Sequence, residues 1–298
     1  MTIRIGTSER DGTFHGQGRA LKTILDRQGE LAPVAVKEST SASVENAKLL
    51  QAGEIELGFM ASNWIGRARN GEAPFVKPID LRMAAPMNAG PLFFIARAGR
   101  SIRTVGDLRG RRVAVGLRTS GMVQHVHAIF GALGLSFSDF TPVYLDFAAG
   151  ADALAAGEVD AQFQCPIPNQ VMTDLAARVD LQVLGLGPGQ IDMVLRAVPD
   201  YRSTVMRKHA IRGLEGDVAQ IAVVNVLVTH ARVPEAVVCE VVSAVVKAAD
   251  ELGRLNPLFV GLRDLFVPLR RQGAAAFEFG GVPLHAGALR AYREAGLV

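Results

Sequence analysis

Short apolar runs separated by amphipathic stretches recur along most of the chain, the pattern of alternating strands and helices. Ile3-Arg4-Ile5-Gly6-Thr7 reads as a strand. A polar turn follows it, and then a helix through Ala20, Leu21, Ile24 and Leu25 that stops at Gly29. Pro33 to Glu38 predicts a second strand, and Ser43 caps a helix whose inward positions are Ala47, Leu49 and Leu50, with Gly53 as its stop. A strand is expected from Ile55 to Ala61 and a strong one over Leu92 to Arg97. Arg112 to Val115 is a short buried strand. It feeds the turn Gly116-Leu117-Arg118-Thr119-Ser120-Gly121 and a helix through Val123, Val126, Ile129, Phe130 and Leu133, ended by Gly134. Further on come a helix over Asp152 to Leu154, strands over Val159 to Cys165, Leu181 to Leu186 and Gln220 to Val228, and a long amphipathic helix from Pro234 to Leu252 with proline in its first turn. Gly187 to Val218, with Pro188, Pro199 and many charges, reads as irregular, and the first crossing between lobes is expected at the Pro/Gly/Asn-containing passage Leu81 to Pro91 and the strand after it.

The pattern repeats. Leu50 through Phe59 aligns with Leu154 through Phe163, 104 positions later, and Gly6 precedes Gly116 by a similar 110. Each copy holds a helix end, a glycine stop, an acidic turn and a buried strand. The fold class predicted is therefore α/β with two Rossmann-like lobes joined by a two-strand hinge. Residues 1–90 and 220–298 form the first lobe, and 91–219 are inserted as the second.

Length and composition support this without adding chemistry. A chain of 298 residues can bury two cores, and 49% hydrophobic with 20% charged residues is ordinary for a globular protein. The net charge is only +3, basic residues are scattered, and there is one Trp, so no nucleic-acid partner is expected. No apolar run is long enough for a membrane span. A strand follows Met1 at once, so the expected location is cytoplasmic if Met1 is the native start and periplasmic if a leader precedes it. Cys165 and Cys239 are too few and too distant for a metal motif, and both read as buried thiols. No cofactor-binding loop or nucleophile elbow is present.

Candidate chemistry gathers where strands end. In doubly wound sheets the carboxyl ends of strands define the ligand crevice. Here those ends offer Thr7, Ser8 and Thr13, then Ser43, then Ser62-Asn63, hydroxyls that serve equally as caps. The helix after Gly116 presents unpaired N–H groups suited to an anion, with Thr119 and Ser120 adding hydroxyls and Arg118 a fixed charge. Arg118 is the first choice as a carboxylate partner, and Arg10 the second. Phe14 stacks on ligand or packs in the core. Glu9, Asp11 and His15 in one crevice, with Cys165 facing them, would be the basis of an enzyme. His125 and His127, two apart on a helix, point to different faces and read as surface or interface residues.

Taken together, Ile5-Gly6-Thr7 with Gly12-Thr13-Phe14, Ser43-Val44-Glu45-Asn46, Leu50 to Gly58, Ser101 to Gly116, Ser120-Gly121, Ala153 to Phe163, Pro234 to Val238 and Pro283 to Gly287 carry a resemblance. In that order they resemble the TAXI-type solute receptors of TRAP transporters, a branch of the type II periplasmic-binding-protein fold. The resemblance implies capture of a small carboxylate or amino acid between two closing lobes, delivery to membrane permease subunits, no catalysis and no cofactor. The alternative is a cytoplasmic enzyme or small-molecule sensor of the same fold. It also implies ligand contacts at Thr7, Thr13, Phe14, Ser43, Ser62, Asn63, Arg118, Thr119, Ser120, Gly121 and Gln164. The family's first turn is usually glycine-rich and uncharged, whereas this chain has Ser8-Glu9-Arg10-Asp11, and His15 stands where an aromatic is common.

Overall fold

The computed structural model describes residues 2–8, 10, 13–27, 33–99, 101–118, 120–164 and 166–298. The chain divides into two compact units, Met1–Ala89 with Val224–Val298, and Gly90–Val223. The division falls within two long strands, β4 (Leu81–Arg97) and β10 (Val218–His230).

In the first unit β1 (Ile3–Gly6), α1 (Thr13–Arg27), β2 (Val34–Lys37), α2 (Ser43–Ala52), β3 (Leu57–Ala61) and α3 (Ile65–Asn70) precede β4. After β10 come α8 (Glu235–Lys247), α9 (Ala249–Leu255), α10 (Leu262–Leu265), α11 (Val267–Gln272) and α12 (Ala286–Glu294). The sheet order is β2-β1-β3-β10-β4, with β1 parallel to both neighbours and β10 antiparallel to β3. Ile5, Leu57 and Phe59 bury the sheet against Leu21, Ile24 and Leu25 of α1 and Val241, Val242 and Val245 of α8. Every residue of β3 is buried, as expected of a strand covered on both faces.

The second unit holds β5 (Arg112–Ala114), α4 (Gly121–Ala132), β6 (Thr141–Val143), α5 (Phe147–Ala156), β7 (Ala161–Gln164), α6 (Gln170–Arg178), β8 (Leu181–Leu184), α7 (Pro188–Ala197) and β9 (Tyr201–Met206). Its order is β8-β4-β7-β5-β6, and β9 pairs antiparallel with Val218–Val223 of β10. Phe93, Ile95, Leu154, Val159 and Leu175 form its core.

The repeat is visible in hydrogen bonds as well as in sequence. Arg4 grips Glu56 with its Nε at 3.1 Å and Nη2 at 2.6 Å, and Nη2 also donates to the Gly53 carbonyl at 2.8 Å. Arg112 grips Asp160 at 3.2 and 3.1 Å and donates to the Gly157 carbonyl at 2.9 Å. Each acid also accepts the backbone N–H of its arginine, at 2.7 Å for Glu56 and 2.9 Å for Asp160. Gly53 and Gly157 end α2 and α5 at φ 74° and 81°, a conformation that glycine adopts without strain. The pairing of β1 with β3 sets Gly6 beside Gly58, and that of β5 with β7 sets Ala114 beside Gln162. The residue equivalent to Gly6 is therefore Ala114, and Gly116 belongs to the turn beyond.

The passage from Leu81 to Pro91 is continuous with the strand after it in β4, and three local expectations change. Pro86 and Pro91 each lack a ladder donor, but the apolar residues around them are buried nearly throughout, and burial decides the extended path. Gly187 to Val218 contains α7 and β9. Pro188 opens α7, where a proline costs no hydrogen bond, and Gln190 Oε1 accepts the Gly187 N–H at 3.0 Å. The long helix after Pro234 breaks at Ala248, with Lys247 ending α8 and Asp250 and Glu251 in the first turn of α9, charges that suit two separate helix dipoles. Finally, Ala42 rather than Ser43 holds the cap position of α2. The Ser43 hydroxyl instead accepts the N–H of Ala61 at 3.0 Å, tying the helix start to the end of β3.

Candidate functional site

In the first unit, most of the expected hydroxyls are committed to the backbone. Thr7 is buried, donates from Oγ1 to the Lys37 carbonyl at 2.9 Å and offers its own carbonyl to Asn46 Nδ2 at 2.7 Å. Ser8 Oγ accepts the His15 N–H at 3.1 Å and so satisfies a first-turn donor of α1, which Thr13 opens. Phe14 is a core residue stacked on Phe59 at 5.6 Å between ring centroids. Arg10 is exposed, 3.6 Å from Glu38. Ser62 is fully buried in the turn that ends β3, and beside it Asn63 Oδ1 is a buried acceptor without a hydrogen bond.

One turn into α1, Gln17 is fully buried and donates from Nε2 to Asn88 Oδ1 at 2.9 Å. Asn225 Nδ2 reaches the same oxygen at 3.2 Å, while Gln17 Oε1 has no partner. Sequence reasoning missed this amide cluster. Gln17 falls three residues after Phe14 and four before Leu21, on the apolar face of α1, and Asn225 interrupts an apolar run. A polar residue at a core phase is the signal that could have found it.

In the second unit, Gly116 turns at φ 93°, where a Cβ would come within 2.7 Å of Ser120 Oγ and Met122 Cβ. Ser120 caps α4 by accepting the Val123 N–H at 3.5 Å, and Gly121 is the first helical residue. Thr119 lies outside the described residues. Arg118 is exposed, with its guanidinium 3.8 Å from the centroid of Tyr144. Gln164 is fully buried at the carboxyl end of β7. It donates from Nε2 to Gln162 Oε1 at 2.9 Å, and Gln162 Nε2 donates to the Phe147 carbonyl at 3.0 Å. Gln164 Oε1 has no partner.

His125 is not the surface residue expected. It is buried, with Nδ1 2.5 Å from the Tyr201 hydroxyl, and burial pushes its pKa down to about 4. His127 does lie exposed, stacked on Phe137 at 3.7 Å.

Of the residues on which an enzyme would rest, Glu9, Asp11 and Cys165 lie outside the described residues. His15 is buried, with Nε2 3.2 Å from Glu38 Oε1 but off the direction of a hydrogen bond. Among the described residues no group of His, Cys, Asp and Glu could hold a metal ion, and no helix is long and apolar enough to cross a membrane. A cavity of about 290 Å³ lined by Ala98, Leu181, Arg212 and Glu215 contains none of the candidate residues.

A family model described as "NMT1-like family" matches residues 5–296. Among solved structures, one provisionally named a sulfonate ABC transporter periplasmic sulfonate-binding protein, from Methylobacillus flagellatus KT, is similar with a TM-score of 0.55 and 16% identity. The match covers 100% of this chain and 95% of that one. The effector-binding domain of a BenM variant is similar with a TM-score of 0.53 and 12% identity, over 85% of this chain and 96% of that one. A structure described as a periplasmic transporter reaches 0.51 at 13% identity, over 89% and 95%. These likenesses show a periplasmic-binding-protein-like α/β fold.

Proposed function

The chain belongs to the NMT1-like family, and from that premise we propose that it is a solute-binding protein. It captures a small anionic or zwitterionic solute, a carboxylate, sulfonate or amino acid, by a closing movement of its two units, and presents it to a membrane permease. The single observation that supports this most is the set of orphaned acceptors. Gln17 Oε1 and Asn63 Oδ1 in one unit and Gln164 Oε1 in the other are buried without partners. Roughly 90% or more of buried polar groups in folded proteins are paired, and each unpaired one costs about 1–3 kcal/mol. All three are acceptors, so each calls for a hydrogen-bond donor such as a zwitterionic solute carries, not for a carboxylate or sulfonate oxygen; those of Asn63 and Gln164 lie at the carboxyl ends of β3 and β7.

For the anionic part of the solute, Arg118 next to the first turn of α4 is the favoured partner and Arg10 the second. Thr13, in the unit of Arg10, and Ser120 and Gly121, in the unit of Arg118, are further candidate contacts, whereas the hydroxyls of Thr7, Ser8 and Ser43 serve as scaffold. The TAXI resemblance implies a TRAP-type partner, while the Methylobacillus neighbour, named for an ABC transporter, favours an ABC-type one.

A thermal-shift screen of organic acids, sulfonates and amino acids tests the reading, followed by small-angle scattering with the best solute. Saturation at one hundred times Kd adds about 2.7 kcal/mol of stability, a clear rise in Tm. The radius of gyration then falls on binding. No shift across the screen, or turnover of a bound compound, would overturn the proposal.

A further inference from the structure

The direction of the Gln164 amide is fixed by a backbone group two side chains away. A carbonyl oxygen only accepts, so the contact with Phe147 identifies the inner atom of the Gln162 amide as its NH₂. The other atom of that amide is then an oxygen, and the atom of Gln164 that meets it at 2.9 Å must be nitrogen. What remains at the end of the chain is an acceptor, Gln164 Oε1, out of reach of solvent and without a partner. Gln162 and Gln164 are two apart on β7 and so share one face of the sheet, while Phe163 turns to the opposite face against Phe94. Gly150 of α5 leaves room for the Gln162 amide, since a Cβ there would come within 2.6 Å of Gln162 Nε2.

We infer that the part of the solute received by the 90–223 unit is a hydrogen-bond donor, an N–H of the ammonium or amide kind, and that Gln164 Oε1 accepts it. This deepens the solute-binding reading and rests on it. A carboxylate or sulfonate oxygen brought to Gln164 Oε1 would set acceptor against acceptor and leave both unpaired. The solute class is thereby narrowed from anions in general to small molecules that carry an N–H donor beside their acid group.

Calorimetric titration of the full chain with matched pairs tests this: taurine against ethanesulfonate, L-glutamate against glutarate, β-alanine against propionate. The expected result is that in at least one pair the amine member binds roughly tenfold or more tightly than its amine-free partner. In Gln164→Leu that ratio falls towards one. In Gly150→Ala the ratio falls because the added methyl displaces Gln162, while the thermal transition stays cooperative. If ethanesulfonate, glutarate or propionate binds as tightly as its amine partner, or the preference survives Gln164→Leu, the inference is overturned while solute binding stands. If no member of any pair binds, the solute-binding reading fails for these classes and the inference falls with it.

Discussion

The two units solve one packing problem in opposite ways. Where α2 crosses the strands of the first unit, the helix supplies an amide, Asn46, and the strands make room with glycines. A Cβ on Gly6 would meet Asn46 Oδ1 at 2.6 Å, and one on Gly58 would meet Asn46 Cβ at 3.1 Å. Where α5 crosses the strands of the second unit, the helix has Gly150 at the position 104 residues beyond Asn46, and the strand has Gln162 at the position 104 beyond Gly58. The amide has moved from helix to strand, and the glycine from strand to helix.

The consequences differ. Asn46 closes on its own surroundings, donating to the carbonyls of Thr7 at 2.7 Å and Phe59 at 2.9 Å, with Thr40 Oγ1 3.0 Å from its Oδ1. Gln162 passes its bonding on to Gln164, which ends in an unpaired oxygen. The residue equivalent to Gln164 in the first unit is Met60, fully buried in an apolar cluster. One frame is a finished piece of scaffold, and the other leaves an acceptor for a partner from outside the chain.

The largest expected effect tests the swap itself. Gly58→Gln leaves no room beside Asn46 and should destabilise by about 3 kcal/mol or more in urea unfolding. Adding Asn46→Gly to it recreates the arrangement of the second unit and should restore at least about 1 kcal/mol of that loss. Strictly additive losses would break the comparison.

Acid acts next, through buried histidines. His125 in the second unit is buried neutral, with its pKa at about 4, whereas an unfolded histidine titrates near its ordinary 6.5. The unfolded state therefore binds the extra proton, and stability falls as pH drops from about 6.5 towards 4, by up to about 3 kcal/mol. In the first unit burial pushes the Glu56 carboxyl up, but the side chain, backbone N–H and charge of Arg4 outweigh it and hold the group below its ordinary 4.5. That contribution is present above the unfolded value and is lost only as pH falls below about 4.5. Burial also holds His230 and His285 of the first unit below the ordinary histidine value, so acid loosens both units; in amide exchange followed with pH, His125→Gln should flatten the acid loss of the second unit, and an unchanged profile there would contradict this assignment.

The two arginine–acid frames should differ more modestly. The Glu56 side chain is 11% exposed and that of Asp160 28%. Glu56→Gln is expected to cost about 2–3 kcal/mol and Asp160→Asn about 1 kcal/mol, measured by chemical unfolding. Smallest in stability is Arg118→Ala, within about 0.5 kcal/mol for so exposed a residue. Its effect belongs to binding, with the anionic solute weakened roughly tenfold if Arg118 is its partner.

How far the sequence carries differs between these frames. The repeat of Leu50–Phe59 in Leu154–Phe163 is legible because helix, glycine stop, acidic turn and strand are local, and Glu56 and Asp160 occupy matching places within it. The repeat of the preceding strands is misleading, because Gly6 and Gly116 look alike while register pairs Gly6 with Ala114. β4 hides behind two prolines whose local signal is outweighed by burial. The hydroxyls of Thr7 and Ser43 draw attention as ligand groups, but the carbonyl and N–H that claim them, at Lys37 and Ala61, come from other segments. The Gln17, Asn88 and Asn225 cluster joins three segments far apart in the chain, and only folding brings them together.

The contrast between the frames reduces to one titration. The amine-bearing solute that raises Tm most is measured by calorimetry against the wild type, Gln164→Leu and Met60→Leu. The expected result is a loss of roughly tenfold in affinity for Gln164→Leu and wild-type affinity for Met60→Leu. Unchanged affinity in both variants, or equal loss in both, would contradict it.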